Sequence, residues 1–394
     1  MRRRLALVLS LASGAALAGP DAALLGAAEG YPVCRLSPLG ALEQRCLVGT
    51  YSHFDQVVPA RKVARGAVVR ELKRAPKEPD AVDIGAFMAA NRNTGLLLLK
   101  GDTILAERYQ YDRRPEHRFN SMSMAKTVVA MLVGIAIEEG KIKSVDDRAD
   151  QYVAELKGHP YGETPLRHLL TMSSGVRFRE EYDGADDVAV LVRSTYLGQG
   201  PGCAATVAPF RTRERAPGER FYYASAETQV LGLVLRAATG KHLADYLSEK
   251  IWQPMGAEAD ASWLVDGGGC EIGHAGLQAT LRDWGRLGLL LAEGGAWNGR
   301  QIIPAAWLKA ATTPESPHLR PGTATKFLGY GYQTWIVPGV RQTFALLGVR
   351  GQAVFVDPAA KLVAVHTAVH AQPRDPARGN QFSLWNALLR SYNL

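Results

Sequence analysis

A serine followed three residues later by a lysine, Ser123-Met124-Ala125-Lys126, stands directly ahead of an uncharged run, Thr127 to Ile137, that reads T-V-V-A-M-L-V-G-I-A-I. On a helix, residues three apart share a face one turn apart, so the hydroxyl and the amine can touch. The run is too short to cross a bilayer and is apolar on every side. It therefore predicts a helix buried in a globular core, ending near Gly140. A lysine at the mouth of such a helix must be paired or lose its proton, because burial disfavours the ammonium. A neutral amine beside a hydroxyl can accept its proton, so Ser-x-x-Lys can act as nucleophile and base without histidine. Unpaired N–H groups in the first helical turn would favour the negative charge that develops there. The competing reading makes Ser121 or Ser123 a helix cap and sends Lys126 out to water. The buried helix weighs against it.

Several elements must hold that pair. Gly95 to Lys100 and Thr103 to Tyr109, around Gly101-Asp102, predict two strands joined by a tight turn. Phe344 to Val349, Gln352 to Val356 and Leu362 to Thr367 predict three more, with Asp357-Pro358 turning between the last two, and Asn380 to Tyr392 predicts a closing helix. From about residue 121 to 290 the pattern is mostly helical. The expected fold is α/β: a five-stranded antiparallel sheet built from both chain ends (80–120 and 291–394) and flanked by helices. A mostly helical domain, 121–290, is inserted and carries the nucleophile helix. Residues 19–79 form an N-terminal arm.

The chain has 394 residues and an ordinary globular composition. Residues 1–18 read as a removable export leader: Arg2-Arg3-Arg4, an apolar stretch from Leu5 to Leu11, and Ala16-Leu17-Ala18 ahead of Gly19. Export to the periplasm or beyond follows, with no stable membrane insertion once the leader is gone. Its loss removes three arginines and no acid, lowering the net charge from +8 to +5. The basic stretch Arg61 to Lys77 lacks stacking aromatics, so no nucleic-acid partner is expected. Four cysteines in an exported chain suggest disulfides, and of the three possible pairings the sequence positions favour Cys34–Cys46 and Cys203–Cys270. No histidine pattern suggests a metal site. His366 and His370 fall on a strand and its exit, too far apart to share an ion easily.

About a hundred residues beyond Ser123 comes Pro217-Gly218-Glu219-Arg220-Phe221-Tyr222-Tyr223-Ala224-Ser225, and between them lies Leu166-Arg-His-Leu-Leu-Thr-Met-Ser-Ser-Gly175. With the S-x-x-K helix and the closing strands, these motifs resemble the serine β-lactamase-like hydrolases over roughly residues 80 to 390. That superfamily includes class C β-lactamases, penicillin-binding D,D-peptidases, family VIII carboxylesterases and 6-aminohexanoate-dimer hydrolases. No serine has the G-x-S-x-G surround of an α/β-hydrolase.

The resemblance implies an acyl-enzyme on Ser123, with Lys126 and Tyr223 as general base and acid and no metal or organic cofactor. Tyr223 occupies the tyrosine of a Tyr-x-Asn element whose asparagine is replaced by Ser225, and a nearby Lys126 would depress its pKa. Tyr222 is the rival, one place off. Gly348-Val349-Arg350-Gly351-Gln352 stands for the third motif, with Val349 at the usual lysine position. The Gln352 N–H would join that of Ser123 as oxyanion hole. Tyr182, Ser225, Gly351 and Gln352 would contact substrate, and Cys270 to Thr280 would form another pocket edge. Loss of the lysine and asparagine points to the 6-aminohexanoate-dimer hydrolase and carboxylesterase branch, and to a small ester or amide as substrate. A peptidoglycan D,D-peptidase, a weak β-lactamase and a silent cell-wall or peptide binder remain alternatives. The oligomeric state stays open.

Overall fold

The computed structural model describes residues 19–80, 83–375 and 381–392. The expected leader, residues 1–18, lies outside them, as does Asn380. The five expected strands are present and contiguous: β1 (Asn93–Lys100), β2 (Thr103–Tyr109), β3 (Phe344–Gly348), β4 (Gln352–Asp357) and β5 (Leu362–Ala368) lie in the order β3-β4-β5-β1-β2, all antiparallel. Three two-residue strands extend this sheet to eight. Trp335–Ile336 and then Gly329–Tyr330 add beyond β3, while Lys73–Arg74 pairs parallel to β2, so the sheet is mixed and not purely antiparallel as expected.

The leucine run in β1 shows why the sheet is buried on both sides. Successive side chains point to opposite faces. Leu97 and Leu99 join the main core, whereas Leu96 and Leu98 join a second cluster with Phe355 and the closing helix. An uninterrupted apolar run is what a doubly covered strand requires.

Four helices matter for the site: α1 (Ala125–Glu138), α2 (Ser225–Thr239), α3 (Leu281–Ala292) and α4 (Gln381–Ser391). Helix α1 is buried from Ala125 to Ala136, as its all-round apolar sequence demands. It ends in a Schellman motif in which left-handed Gly140 donates to Ile137 O and Lys141 donates to Ala136 O. Helix α3 starts from Thr280, whose hydroxyl and Asp283 cap each other, and packs on β1, β4 and β5. Helix α4 covers the opposite face with Leu384, Trp385 and Leu388.

A second, four-stranded antiparallel sheet has no counterpart in the sequence expectation. Its order is Ala60–Val63, Ala261–Leu264, Leu277–Thr280, Arg118–Asn120. It joins the arm to the segment that leads into Ser123. Much of the basic stretch is spent in ion pairs: Arg70 is buried against Asp102 and Glu293, Arg74 pairs with Glu107, and Arg61 with Glu271. Among the described residues no helix is long and apolar enough to cross a membrane.

Both expected disulfides form, Cys34–Cys46 within the arm and Cys203–Cys270 across a separation of 67 residues. Each closes a loop that the unfolded chain would otherwise explore, so reduction is expected to cost about 2–4 kcal/mol per bridge. Urea unfolding with and without reductant measures this, and identical midpoints would show that the bridges add no stability.

Candidate active site

Ser123 is placed by strand and turn before it is placed by helix. The strand Arg118–Asn120 is hydrogen-bonded to Leu277–Thr280, Ser121 N–H donates to Leu277 O at 2.8 Å, and Met122 N–H donates to Asn120 Oδ1 at 2.8 Å. Met122 takes a left-handed φ of +44°, a strained conformation for a methionine that the surrounding bonds hold in place. A 3-10 turn, Met122–Met124, follows and runs into α1. Ser123 thus sits just ahead of the α-helix, among N–H groups with no partner inside it. The end of β3 lies directly on this turn. A Cβ at Gly348 would stand 2.6 Å from Ser121 O, so the close approach depends on glycine.

Lys126 is 1 % exposed. Its Nζ lies 2.8 Å from Ser123 Oγ and donates to His274 O, also at 2.8 Å. Burial lowers its pKa to about 8, with the charge of Glu180 acting in the opposite direction. An amine with that value is part neutral near neutral pH and can accept the serine proton. His274 contributes its carbonyl. Burial and the neighbouring Lys126 charge keep its imidazole neutral.

Tyr223, not Tyr222, stands beside this pair. Its hydroxyl is hydrogen-bonded to Ser123, its ring stacks on Trp335 at 5.5 Å, and Lys126 Nζ lies 5.2 Å from the ring centroid. Tyr222 is 38 % exposed and carries Arg220 over its ring. The expected depression of the Tyr223 pKa is not found. Burial first, and the Glu180 carboxylate second, hold the phenol well above its usual value. Lys126 faces the ring and not the hydroxyl, and it is shifted toward its neutral form, so it offers the phenolate little. Tyr223 is therefore held in its protonated form, while Lys126 is shifted toward its neutral one.

Ser225 and Tyr182 meet on a residue that the sequence did not single out. Glu180, 6 % exposed, accepts from Ser225 N–H at 2.8 Å, Ser225 Oγ at 2.9 Å and Tyr182 Oη at 2.6 Å. Nothing in Arg179-Glu180-Glu181-Tyr182 separates the buried acid from its exposed neighbour Glu181.

Two cavities share Ser123. The smaller, 170 Å³, is walled by Glu180, Tyr182, Ser225, His274 and Val349 and by parts of the arm. The wider, 840 Å³, is walled by Tyr182, Tyr223, Trp335, Val349, Gly351 and Arg374. Gln352 lines neither. It starts β4 opposite Gly348, and its side chain is tied to the Val349, Arg350 and Ala368 carbonyls. Val349 and Arg350 lie beyond the end of β3, in the turn to β4, whereas the sequence placed Val349 in the strand. Arg350 does reach the smaller cavity, but its guanidinium is held by the His370 and Ala371 carbonyls.

Residues 84–384 match the Beta-lactamase family model. The chain belongs to the beta-lactamase family. Within that family it is 28 % identical, over 82 % of both chains, to the 6-aminohexanoate-dimer hydrolase of Paenarthrobacter ureafaciens. Among solved structures, a Bacillus anthracis protein provisionally assigned as a 6-aminohexanoate-dimer hydrolase superposes with a TM-score of 0.78. It is 24 % identical, covering 92 % of this chain and 95 % of that one. A penicillin-binding protein from Bacillus halodurans shares the fold at a TM-score of 0.59 and 17 % identity, covering 77 % of this chain and 98 % of that one. As a member of the beta-lactamase family the chain is a hydrolase of the serine β-lactamase-like kind.

If neutral Lys126 accepts the Ser123 proton, kcat/KM for a p-nitrophenyl ester rises with pH up to about 8 and levels off above it, because only the deprotonated amine is a base. A profile flat down to pH 6 would rule this out.

Proposed function

We propose that this hydrolase cleaves a small ester or amide through an acyl-enzyme on Ser123. The observation that carries the reading is the 2.8 Å contact between Ser123 Oγ and a buried Lys126 whose pKa is about 8. Ser123 attacks the substrate carbonyl as its proton passes to Lys126 Nζ. The oxyanion is received by the Ser123 N–H and by the N–H of Val349, which takes the place that the sequence reading gave to Gln352, since Val349 lines both cavities. Tyr223 gives its proton to the departing oxygen or nitrogen, and the proton held by Lys126 restores the phenol. Water then attacks the acyl-enzyme, passes a proton back through the same pair, and releases the acid and free Ser123.

Ester or short amide substrates are favoured over β-lactams by the valine at position 349, where the resemblance expects a lysine, and by the engagement of Ser225 with Glu180. The 6-aminohexanoate-dimer hydrolase relative supports the same branch. Export is part of the proposal, supported by the leader-like residues 1–18 and the two disulfides. N-terminal sequencing of the processed protein is expected to begin at Gly19, and a retained Met1 would remove export by this route.

Intact-mass measurement with a fluorophosphonate probe is expected to show one adduct that Ser123→Ala loses, together with ester turnover, while its thermal transition moves little. Labelling that survives the substitution would remove Ser123 as nucleophile. A lasting penicillin adduct, with no ester turnover, would favour the D,D-peptidase reading instead.

A further inference from the structure

The two cavities at Ser123 have different walls, and the proton donor touches only one. Tyr223 lines the wide cavity and not the small one. On the reading above, the departing group must lie within reach of the Tyr223 hydroxyl, so it leaves through the wide cavity and the acyl group faces the small one. We infer that the small cavity is the acyl pocket, that the disulfide-closed N-terminal arm is its specificity-determining wall, and that it selects an uncharged, medium-length acyl chain.

The arm lies ahead of the matched family region, residues 84–384, yet Leu36, Leu42, Tyr51 and Phe54 all line this cavity. It is a fixed wall and not a loose flap. Cys34–Cys46 closes it, Phe54 N–H donates to Gln278 Oε1 at 3.1 Å, and Asp55 pairs with Arg118 and accepts from Ser262. Tyr51 is hydrogen-bonded to Arg350, which ties the arm to the turn that carries Val349. Met122, Val188 and Val192 complete the apolar part of the lining.

The two charged side chains that line this cavity, Glu180 and Arg350, are of opposite sign, and each is hydrogen-bonded. Glu180 accepts three hydrogen bonds and Arg350 is held by two carbonyls. Two buried polar atoms of lining residues, Tyr196 Oη and His274 Nε2, have no partner among the described residues. Both are uncharged. Gly273 N–H donates to Gln229 Oε1, which fixes that oxygen as an acceptor, so His274 Nδ1 carries the ring proton and Nε2 is the open acceptor. These atoms can serve a water or a neutral polar group, and because the Glu180 carboxylate is offset by Arg350 on the same lining, the cavity has no net charge to offer an ammonium, whose burial in an apolar enclosure is strongly disfavoured. The acyl side should therefore prefer hexanoyl to 6-aminohexanoyl, unlike a site built for an amino-terminated acyl group.

The test uses the full-length protein with p-nitrophenyl esters of acetic, butyric, hexanoic, octanoic, dodecanoic and 6-aminohexanoic acids. The expected kcat/KM peaks between butyryl and octanoyl, and hexanoyl exceeds 6-aminohexanoyl by at least tenfold. Leu42→Trp is expected to lower the hexanoyl-to-acetyl ratio at least tenfold, and Leu36→Ala to move the optimum to longer chains. A flat chain-length profile, a preference for 6-aminohexanoyl, or ratios unchanged in both variants would overturn the proposal. So would a change confined to the alcohol side when phenyl and naphthyl leaving groups are compared. Ester turnover surviving in Ser123→Ala would mark failure of the underlying acyl-enzyme reading, whatever the chain-length profile.

Discussion

The cost of taking an ammonium out of water governs this site. Lys126 stands at the start of a helix buried along nearly its whole length, where no acid forms an ion pair with it within the described residues. Desolvation brings its pKa to about 8, and the His274 carbonyl and the Ser123 hydroxyl provide the hydrogen bonds that make its burial tolerable. The helix must be apolar on every face to create that setting. The strand before it must hold Met122 in a strained conformation so that Ser123 meets the amine. Helix burial, turn strain and lysine basicity are therefore consequences of one requirement.

The same low dielectric sorts the other ionisable groups. Tyr223 is kept protonated by burial and by Glu180, while Lys126 is pushed toward its neutral form. In the proposed mechanism, two neighbouring groups pulled in opposite senses divide the work of accepting and donating a proton. Glu180 also fixes Tyr182 and Ser225, so one carboxylate sets both the electrostatics and the shape of the wall between the cavities.

The pattern was legible where local sequence and tertiary environment agree. The charge-free stretch after Lys126 reads as a buried helix and forms one, and the leucine run of β1 reads as a strand and forms one. Tyr223, which the resemblance singled out over Tyr222, does stand beside Ser123. What escaped notice depends on distant partners. The second sheet pairs residues 60–63 with 261–264, across two hundred positions, and its short strands carry no periodicity of their own. Glu180 and Glu181 are identical in type and differ only in which side of a loop faces inward. Strand β3 ends at Gly348, one residue earlier than its apolar sequence suggested, so Val349 falls in the turn, and Gln352 lines neither cavity.

The central sheet joins the two ends of the chain. Strand β5 pairs along β1, Leu362 opposite Lys100 and Thr367 opposite Gly95, so about 260 residues separate the partners at the heart of the fold. Until the last strands are available, β1 presents an open hydrogen-bonding edge with leucines on both faces, the kind of edge that recruits other chains. Closing so long a loop is slow, and contact order of this kind places the folding barrier late. A nascent or truncated chain ending before residue 344 would therefore carry every nucleophilic residue named above and yet be an aggregation hazard instead of a partial enzyme.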